Sequence, residues 1–491
     1  MPKKLNLSGS DREFFSTVAR AAFLNPFSGE KAELERRIAG TGDGVSNDET
    51  NRRAVSAVSA RLDKLADSQK DDLRRYSADD REILKNAFLF SFYHKYAGAF
   101  DELIDKQLKH GEEPVPVPFA GELMEEFTGK GLSPAAACGY MAMFHQLRRA
   151  HFFLKRKLIG RSPAMTRFRL LLWNNIFTRD IRWYERYLWN HMELFHTLIL
   201  GETGTEKESA ADAMGHSGFI PFDENKKRFA RSFTSAFIPA SISQYPEGAI
   251  EAELFGRERG DSSGMLTRCV PHGSIFLEEI EEMTPRMQAN LLKILQHRSF
   301  NPVGLDGKPR FQGRIIAATS RSMEDLHADS HIRDDLLYLL SSNAVYAPSL
   351  RERIEERPEE LHDVADSILE RIIGRPAPEL SEVVRKALKQ GSAPDYPWPG
   401  NIRELEGAVR RILITGEYEE NRPKVYPDIQ NRLVDGIQHG SLSAQELLGY
   451  YCALLYRKLG TYGEVARRTG LDWRTAKKHA DRFEGIESPG Q

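Results

Sequence analysis

Residues 195–208, Phe-His-Thr-Leu-Ile-Leu-Gly-Glu-Thr-Gly-Thr-Glu-Lys-Glu, limit what this chain can fold into more than any other stretch. The apolar run from Thr197 to Leu200 reads as a buried strand, a glycine loop follows, and Lys207 opens a helix. Such a loop turns its backbone N–H groups, and the positive end of the helix behind it, toward one point where a phosphate can sit. The lysine adds a point charge beside the terminal phosphates. One letter departs from the G-x-x-x-x-G-K spacing: Glu206 stands where glycine precedes the lysine. A carboxylate about 4 Å from a phosphate costs on the order of 4 kcal/mol at an effective dielectric of 20, unless its side chain swings outward. Taken alone, the stretch also fits a strand–turn–helix with no ligand.

The rest of the chain offers ample material around this loop. Its 491 residues suggest three or four domains at about 100–200 residues each. A net charge of -2 excludes a global pull toward nucleic acid or membrane, so any such binding must be local. Cys138, Cys269 and Cys452 form neither a disulfide framework nor a C-x-x-C metal spacing, and a reducing, cytoplasmic compartment is expected. The first residues lack a signal-peptide core, and no run approaches the ~20 apolar residues of a membrane span.

Residues 1–160 read as a helical domain. Ser10 is expected to cap a helix with Phe14, Phe15, Val18, Ala19 and Ala22 on one face. Gly40 to Asn51 is a polar loop. Residues 52–74 and 80–108 resume helical spacing, and the second is dense in aromatics that read as core. Ser133-Pro134 starts a helix through about Leu158. Its Arg148, Arg149, Lys155, Arg156 and Lys157 read as a solvated basic face. His145 and His151 fall on different faces of it and cannot easily share a ligand. Residues 165–345 alternate short strands (Thr197–Leu200, Ala236–Pro239, Ser274–Leu277, Gly313–Ala317) with helices, which argues for a parallel α/β sheet. Residues 346–415 are helical again, 416–440 read as a linker, and 441–485 as a small basic helical module.

A second motif, Gly273-Ser-Ile-Phe-Leu-Glu-Glu-Ile280, ends a strand in two acids. Beside a phosphate loop, one acid can hold Mg²⁺ and the next can polarise an attacking water. An acidic strand end before a solvated helix is the alternative. The two motifs together resemble an AAA+ ATPase. Further blocks sharpen this: Glu251-Ala-Glu-Leu-Phe-Gly-Arg-Glu-Arg-Gly260, Met287-Gln-Ala-Asn-Leu-Leu-Lys-Ile-Leu-Gln296, Arg314-Ile-Ile-Ala-Ala-Thr-Ser320, Pro348-Ser-Leu-Arg-Glu-Arg353 and Trp398-Pro-Gly-Asn-Ile-Arg-Glu-Leu-Glu406. This succession, over about residues 190–415, resembles the central domain of bacterial enhancer-binding proteins, the ATP-driven activators of sigma-54 RNA polymerase.

The resemblance implies roles by position. Gly201, Glu202, Thr203, Gly204, Thr205, Glu206, Lys207 and Glu208 would form the phosphate site for ATP. Glu278 would be the Mg²⁺ acid and Glu279 the water-polarising acid. Thr319 would end the sensor strand, Arg333 would be an arginine finger reaching a neighbour's γ-phosphate, and Arg403 would be the lid arginine. The departures form a set. Besides Glu206, Glu278 replaces an aspartate, Ser320 an asparagine and Leu339 a second finger arginine. The polymerase-contacting loop reads Gly260-Asp-Ser-Ser-Gly-Met265 where the family has Gly-Ala-Phe-Thr-Gly-Ala; both glycines are kept, so the hairpin tip is expected to persist with Ser262 and Ser263 in place of its contact residues, which leaves sigma-54 polymerase an open partner.

The last module, Tyr462 to Phe483, reads as a helix-turn-helix. A short helix ends at Gly470 and Asp472 caps the next. Val465, Ala466, Leu471, Ala476 and Phe483 would face inward. Arg474, Thr475, Lys477, Lys478 and Arg482 would lie in a DNA major groove. The family carries a Fis-type module at this place. The helix before it, with Leu447, Leu448, Tyr451, Leu454 and Leu455, is expected to form a dimer surface. The expected architecture is therefore multidomain: an all-α N-terminal domain, an α/β AAA+ core with a helical lid, and a C-terminal helix-turn-helix. The expected function is ATP- and DNA-dependent transcription regulation, with self-assembly as a dimer or AAA+ ring. The alternative is a non-hydrolysing AAA+ scaffold or repressor.

Overall fold

The computed structural model describes residues 4–246, 249–256, 264–299, 310–328, 332–393, 395–419, 433–434, 436–437, 439–459 and 461–484. Five parallel strands make the central sheet: β1 Thr197–Leu200, β4 Phe237–Ser241, β5 Ser274–Glu278, β6 Arg314–Thr319 and β7 Ala344–Tyr346, in the spatial order β4-β5-β6-β1-β7. A two-stranded hairpin, β2 Phe222–Asp223 and β3 Arg228–Phe229, stands outside it. Every residue of β1 and β6 is buried, as strands covered on both faces require. The register sets Leu200 opposite Thr319 and Ser241 opposite Glu278. The phosphate loop, the sensor position and the acidic strand end therefore emerge at the same edge of the sheet. Short β7 and the hairpin escaped the sequence reading because runs of two or three residues have no measurable periodicity.

The N-terminal region is helical, with the caps its sequence provides. Ser133 accepts from the Ala136 amide, and the following helix runs Pro134–Lys157. The first helix, Gly9–Ala22, is capped by Ser8 rather than Ser10: the Ser8 hydroxyl accepts from the Asp11 amide, and the two side chains bond each other. Its buried stripe is Phe15, Val18 and Ala21. The expected 80–108 helix is two, Ala78–Lys95 and Ala97–His110, broken at Tyr96.

The basic face of the Pro134–Lys157 helix is solvated only in part: Lys155 and Arg156 are exposed, and the rest is not. Arg149 is fully buried and donates to the carbonyls of His216 (2.6 Å) and Gly218 (2.7 Å), which follow the phosphate-loop helix Lys207–Gly215. Gln146 donates to Ser217 O between them at 2.9 Å. Arg148 forks onto Asp101, Arg156 pairs with Asp105, and Lys157 pairs with Asp212. Arg149, Gln146 and Lys157 thus satisfy carbonyls and a carboxylate across the seam between the helical region and the α/β core, while Arg148 and Arg156 pair inside the helical region. One apolar core runs through that seam, from Phe15 and Phe100 to Ala210, Met214, Phe276 and Ile316. His145 lies in it, stacked on Phe229 at 3.8 Å, while His151 stacks on Phe27.

The chain divides into two units, residues 1–388 with 397–416, and 389–396 with 417–491. In the second, the helices Ala444–Leu459, Tyr462–Thr469 and Trp473–Glu484 share a core of Cys452, Leu455, Val465, Ala476 and Ala480. Leu448 packs against that core and Leu454 against a neighbouring one, so the expected dimer surface is mostly used up inside the unit. Only Leu447 and Tyr451 of that set stay exposed. Gly470 closes the middle helix at φ 73°. The Asp472 carboxylate accepts from the amides of Arg474 (3.0 Å) and Thr475 (3.1 Å), the cap expected. Removing such a cap costs about 1 kcal/mol. Asp472→Ala should therefore speed amide exchange in the Trp473–Glu484 helix several-fold, leaving exchange in residues 134–157 unchanged.

Candidate nucleotide site and nucleic-acid interface

The phosphate loop leaves β1 at Gly201 and enters the Lys207–Gly215 helix. Among the described residues, no backbone N–H from Glu202 to Glu206 donates to another group. Those amides form the open nest an anion requires. Gly204 has φ +81°, and a Cβ there would lie 2.3 Å from Gly400 O, so only glycine fits. Lys207 is buried. Its ammonium donates to Gly201 O (2.6 Å), Glu202 O (2.9 Å) and Ser320 Oγ (3.1 Å). Burial lowers its pKa. Ser320 thus accepts from the lysine and, at 3.4 Å, from Thr203 Oγ1. Thr205 bonds back to Glu202 O. Thr319 is buried, and its hydroxyl accepts the Arg321 amide.

Glu206 resolves the conflict in the sequence. Its backbone keeps the left-handed conformation that glycine would favour, φ 64° and ψ 30°. Its side chain turns away from the loop into the protein, where its carboxylate lies 3.6 Å from Arg353 Nη1. Arg353 is fully buried. It binds the equally buried Glu360 at 3.1 Å and donates to Ile159 O at 2.7 Å. Glu360 in turn accepts the amides of Arg161 and Ser162. Arg169 donates to Leu158 O and Gly160 O beside them. One polar cluster therefore ties the phosphate loop to the connector from the helical region and to the Leu350–Glu356 and Glu360–Ile373 helices. Arg353 is shared between two carboxylates and sits closer to Glu360. Burial, the dominant influence, pushes the Glu206 carboxyl up to about 7, against the opposing pull of Arg353. The positive φ costs of order 1–3 kcal/mol in a non-glycine residue.

The acidic strand end is set beside the loop. Glu278, half-buried, has its pKa raised first by burial and then by its neighbours Glu208 and Glu279. Glu279 adopts φ 60°. Its carboxylate accepts from Ser241 Oγ at 3.4 Å and from Ser243 Oγ, both at the exit of β4. The sequence reading missed these serines, although β4 running next to β5 was the available signal. Among the described residues no three His, Cys, Asp or Glu side chains cluster as a ready metal site.

The Asn401–Thr415 helix closes over the loop from the other side. The Ile402 amide donates to Gly204 O at 3.0 Å. Asn401 donates to Glu202 Oε2 and Thr203 O, and Arg351 reaches Glu202 Oε1. Arg403 is near enough to perturb both Lys207 and Glu278. Arg351 and Asn401 were quoted in their sequence blocks without a role. Arg333 stands apart. It pairs with Asp335 (2.8 Å), half-exposed, while its amide donates to Gln288. Leu339 packs against the core. Of the expected polymerase loop, Gly260 to Ser263 lie outside the described residues.

In the C-terminal unit, Arg474, Lys477, Lys478 and Arg482 are exposed and Thr475 half-buried. Lys477 lies over the rings of Tyr462 and Trp473, 5.6 Å from each centroid. Trp473 is itself exposed, and the Tyr462 hydroxyl is anchored on Asp481 at 2.7 Å. The Phe483 side chain lies outside what is described.

Residues 183–346 match the family model described as the sigma-54 interaction domain. The chain is 29% identical over 300 residues to the nitrogen fixation protein AnfA of Azotobacter vinelandii, covering 58% of this chain and 52% of that protein. It is 32% identical over 266 residues to the Nif-specific regulatory protein of Klebsiella pneumoniae, covering 53% and 44%. It is 34% identical over 297 residues to the transcriptional regulatory protein ZraR of Klebsiella oxytoca, covering 57% and 61%. The chain thus spans about half the length of the first two relatives. A crystal structure of NtrX from Brucella abortus in complex with ATP aligns over 73% of this chain and 77% of its own, at 21% identity and a TM-score of 0.40. No helix among the described residues is long and apolar enough to cross a membrane.

Proposed function

We propose that the protein is a transcription regulator that binds ATP in the loop Gly201–Glu208 and DNA through Arg474, Thr475, Lys477, Lys478 and Arg482. One observation carries the nucleotide reading: Glu206 points away from the loop, leaving the loop amides to meet phosphates, with Lys207 beside them once it gives up Ser320. The charge clash that its sequence position threatened is absent. Mg²⁺ would enter with the phosphates, which supply much of its coordination, and Glu278 is the acid placed to complete it. The metal would neutralise charge developing on the phosphates. Glu279, oriented by Ser241 and Ser243, is the base that would polarise water. Arg333 is exposed at its own surface, where a finger serving a neighbouring subunit in a ring must be. Its first requirement is release from Asp335. The relatives' names, regulatory proteins of nitrogen fixation among them, support the regulatory reading.

A second reading keeps nucleotide binding without turnover, in a scaffold or repressor. Glu278, one methylene longer than the expected aspartate and with a raised pKa, favours it.

ATP binding and phosphate release by the full chain test both. Lys207→Ala should abolish binding. Glu279→Gln should keep binding and lower phosphate release by about 10²–10⁴-fold. Binding without release in the wild-type protein would select the scaffold reading, and no binding would sink both. For the DNA interface, alanine at Arg474 and Lys477 should abolish site-specific binding, and unchanged affinity would remove that role.

A further inference from the structure

The helical region encloses a cavity of about 320 Å³ that no part of the nucleotide or DNA reading uses. It is large enough for a small organic molecule and lies at the lower end of ligand-site sizes. Phe90, Tyr93, Phe144, Leu147 and Trp173 make its apolar wall. Its charged lining is one-sided: Lys31, Arg148 and Lys155 against the single carboxylate of Asp48, which is exposed at the rim.

Several donors in this wall are uncommitted. Trp173 is only 3% exposed, and its indole N–H has no acceptor. His94 and His151 line the cavity with no hydrogen-bond partner among the described residues, the first packed on the rings of Phe90 and Tyr93 and the second on Phe27. Burial holds both imidazoles neutral, pushing each down to about 3. Lys31 gives one proton to Glu35 at 3.0 Å and one to Ala21 O at 3.2 Å, which leaves a third. Arg148 is committed to Asp101. A buried donor without an acceptor costs about 1–3 kcal/mol. Here that cost falls on the Trp173 indole, and His94, His151 and Lys31 line the same space beside its apolar wall. That combination selects a ligand with an anionic head and a hydrocarbon body. Inorganic phosphate would leave the aromatic wall empty, and a neutral hydrocarbon would leave the donors unpaired.

We propose that this cavity binds a small amphiphilic carboxylate, an aromatic or medium-chain acid, with its body between Phe90, Phe144 and Leu147 and its head on the Trp173 indole N–H, His94, His151 and Lys31. The cavity shares Lys31, Asp48, His151 and Lys155 with a larger polar cleft. That cleft is bounded by Ser209 of the phosphate-loop helix and by Asp363, Asp366 and Arg371 of the Glu360–Ile373 helix. The head of the acid therefore lies at the side nearest the nucleotide core.

Calorimetric titration of the full chain with 2-naphthoate and with octanoate tests this, with 2-naphthylmethanol as the uncharged control. Saturable binding of at least one acid is expected at about millimolar Kd or tighter, and at least about tenfold weaker for the alcohol. Leu147→Trp, which fills the cavity, should abolish acid binding. His151→Leu should weaken the acid about tenfold without changing the alcohol, and serves if the first variant does not fold. No saturation by either acid, equal affinity for acid and alcohol, or unchanged affinity in a folded Leu147→Trp variant would each overturn the proposal. None of these readouts depends on nucleotide or DNA binding.

Discussion

Arg353→Met should lower the stability of the N-terminal unit by about 3–5 kcal/mol, the cost of stranding a buried charge by removing its partner. Arg353 is buried between Glu206 and Glu360 and pairs with both, and its loss removes that shared partner from two carboxylates held out of solvent. Glu360 keeps the amides of Arg161 and Ser162 and a bond from Arg357, so its charge stays partly supported. Glu206 keeps nothing comparable, since one of its oxygens already lacks a hydrogen-bond partner. Urea unfolding followed by circular dichroism reads the effect as a shifted midpoint. A second change should recover part of the loss. In Arg353→Met combined with Glu206→Gln and Glu360→Gln no buried charge remains, and the midpoint should move back toward wild type. A triple variant no more stable than the single one would show that Arg353 acts by packing rather than by charge.

The second large effect is a pH dependence with an unusual sign. Glu206 titrates near 7 in the folded chain and near the ordinary 4.5 when unfolded. Between those values the folded state holds the extra proton, so this group stabilises the fold at low pH, and its contribution is lost as pH rises from about 4.5 to about 7. The shift corresponds to about 3 kcal/mol. The buried histidines work the other way. His94, His151 and His196 stay neutral down to about 3, and their contribution is lost as pH falls below the ordinary 6.5. The difference between wild type and Glu206→Gln isolates the carboxyl. Glu206→Gln should be the more stable protein at pH 8, with the two converging toward pH 5. A constant difference between pH 5 and 8 would mean that Glu206 does not titrate in that range.

Much of this site was legible because its residues are local. Gly201 to Lys207 form a strand–loop–helix through their own sequence, and the Ser133 and Asp472 caps need only the next three residues. The direction of the Glu206 side chain was not legible. It depends on Arg353 and Glu360, about 150 positions along the chain, and on the connector at Ile159–Ser162. The same holds for Arg149, which periodicity alone assigns to solvent. A long basic side chain on a helix reads as exposed unless the carbonyls it will satisfy are known, and His216 and Gly218 arrive from another element. Ser8 and Ser10 each stand three residues before an acid, Asp11 and Glu13, so that spacing alone does not choose between them as the cap. The expected dimer surface was drawn too wide for a related reason: apolar spacing shows that a helix has a buried face, not what buries it, and Leu448, Leu454 and Leu455 pack inside the unit.

The continuous core between the helical region and the sheet also bears on how such a chain can be changed. A sensing domain joined by a flexible tether can be exchanged or cut off without harming the engine it controls. Here, removing residues 1–160 would strip cover from Ala210, Met214 and Phe276, and leave the carbonyls of His216 and Gly218 without Arg149. The two regions share one core and sit in one compact unit. A signal received among the helices would reach the phosphate loop as a change in packing, with no undocking step.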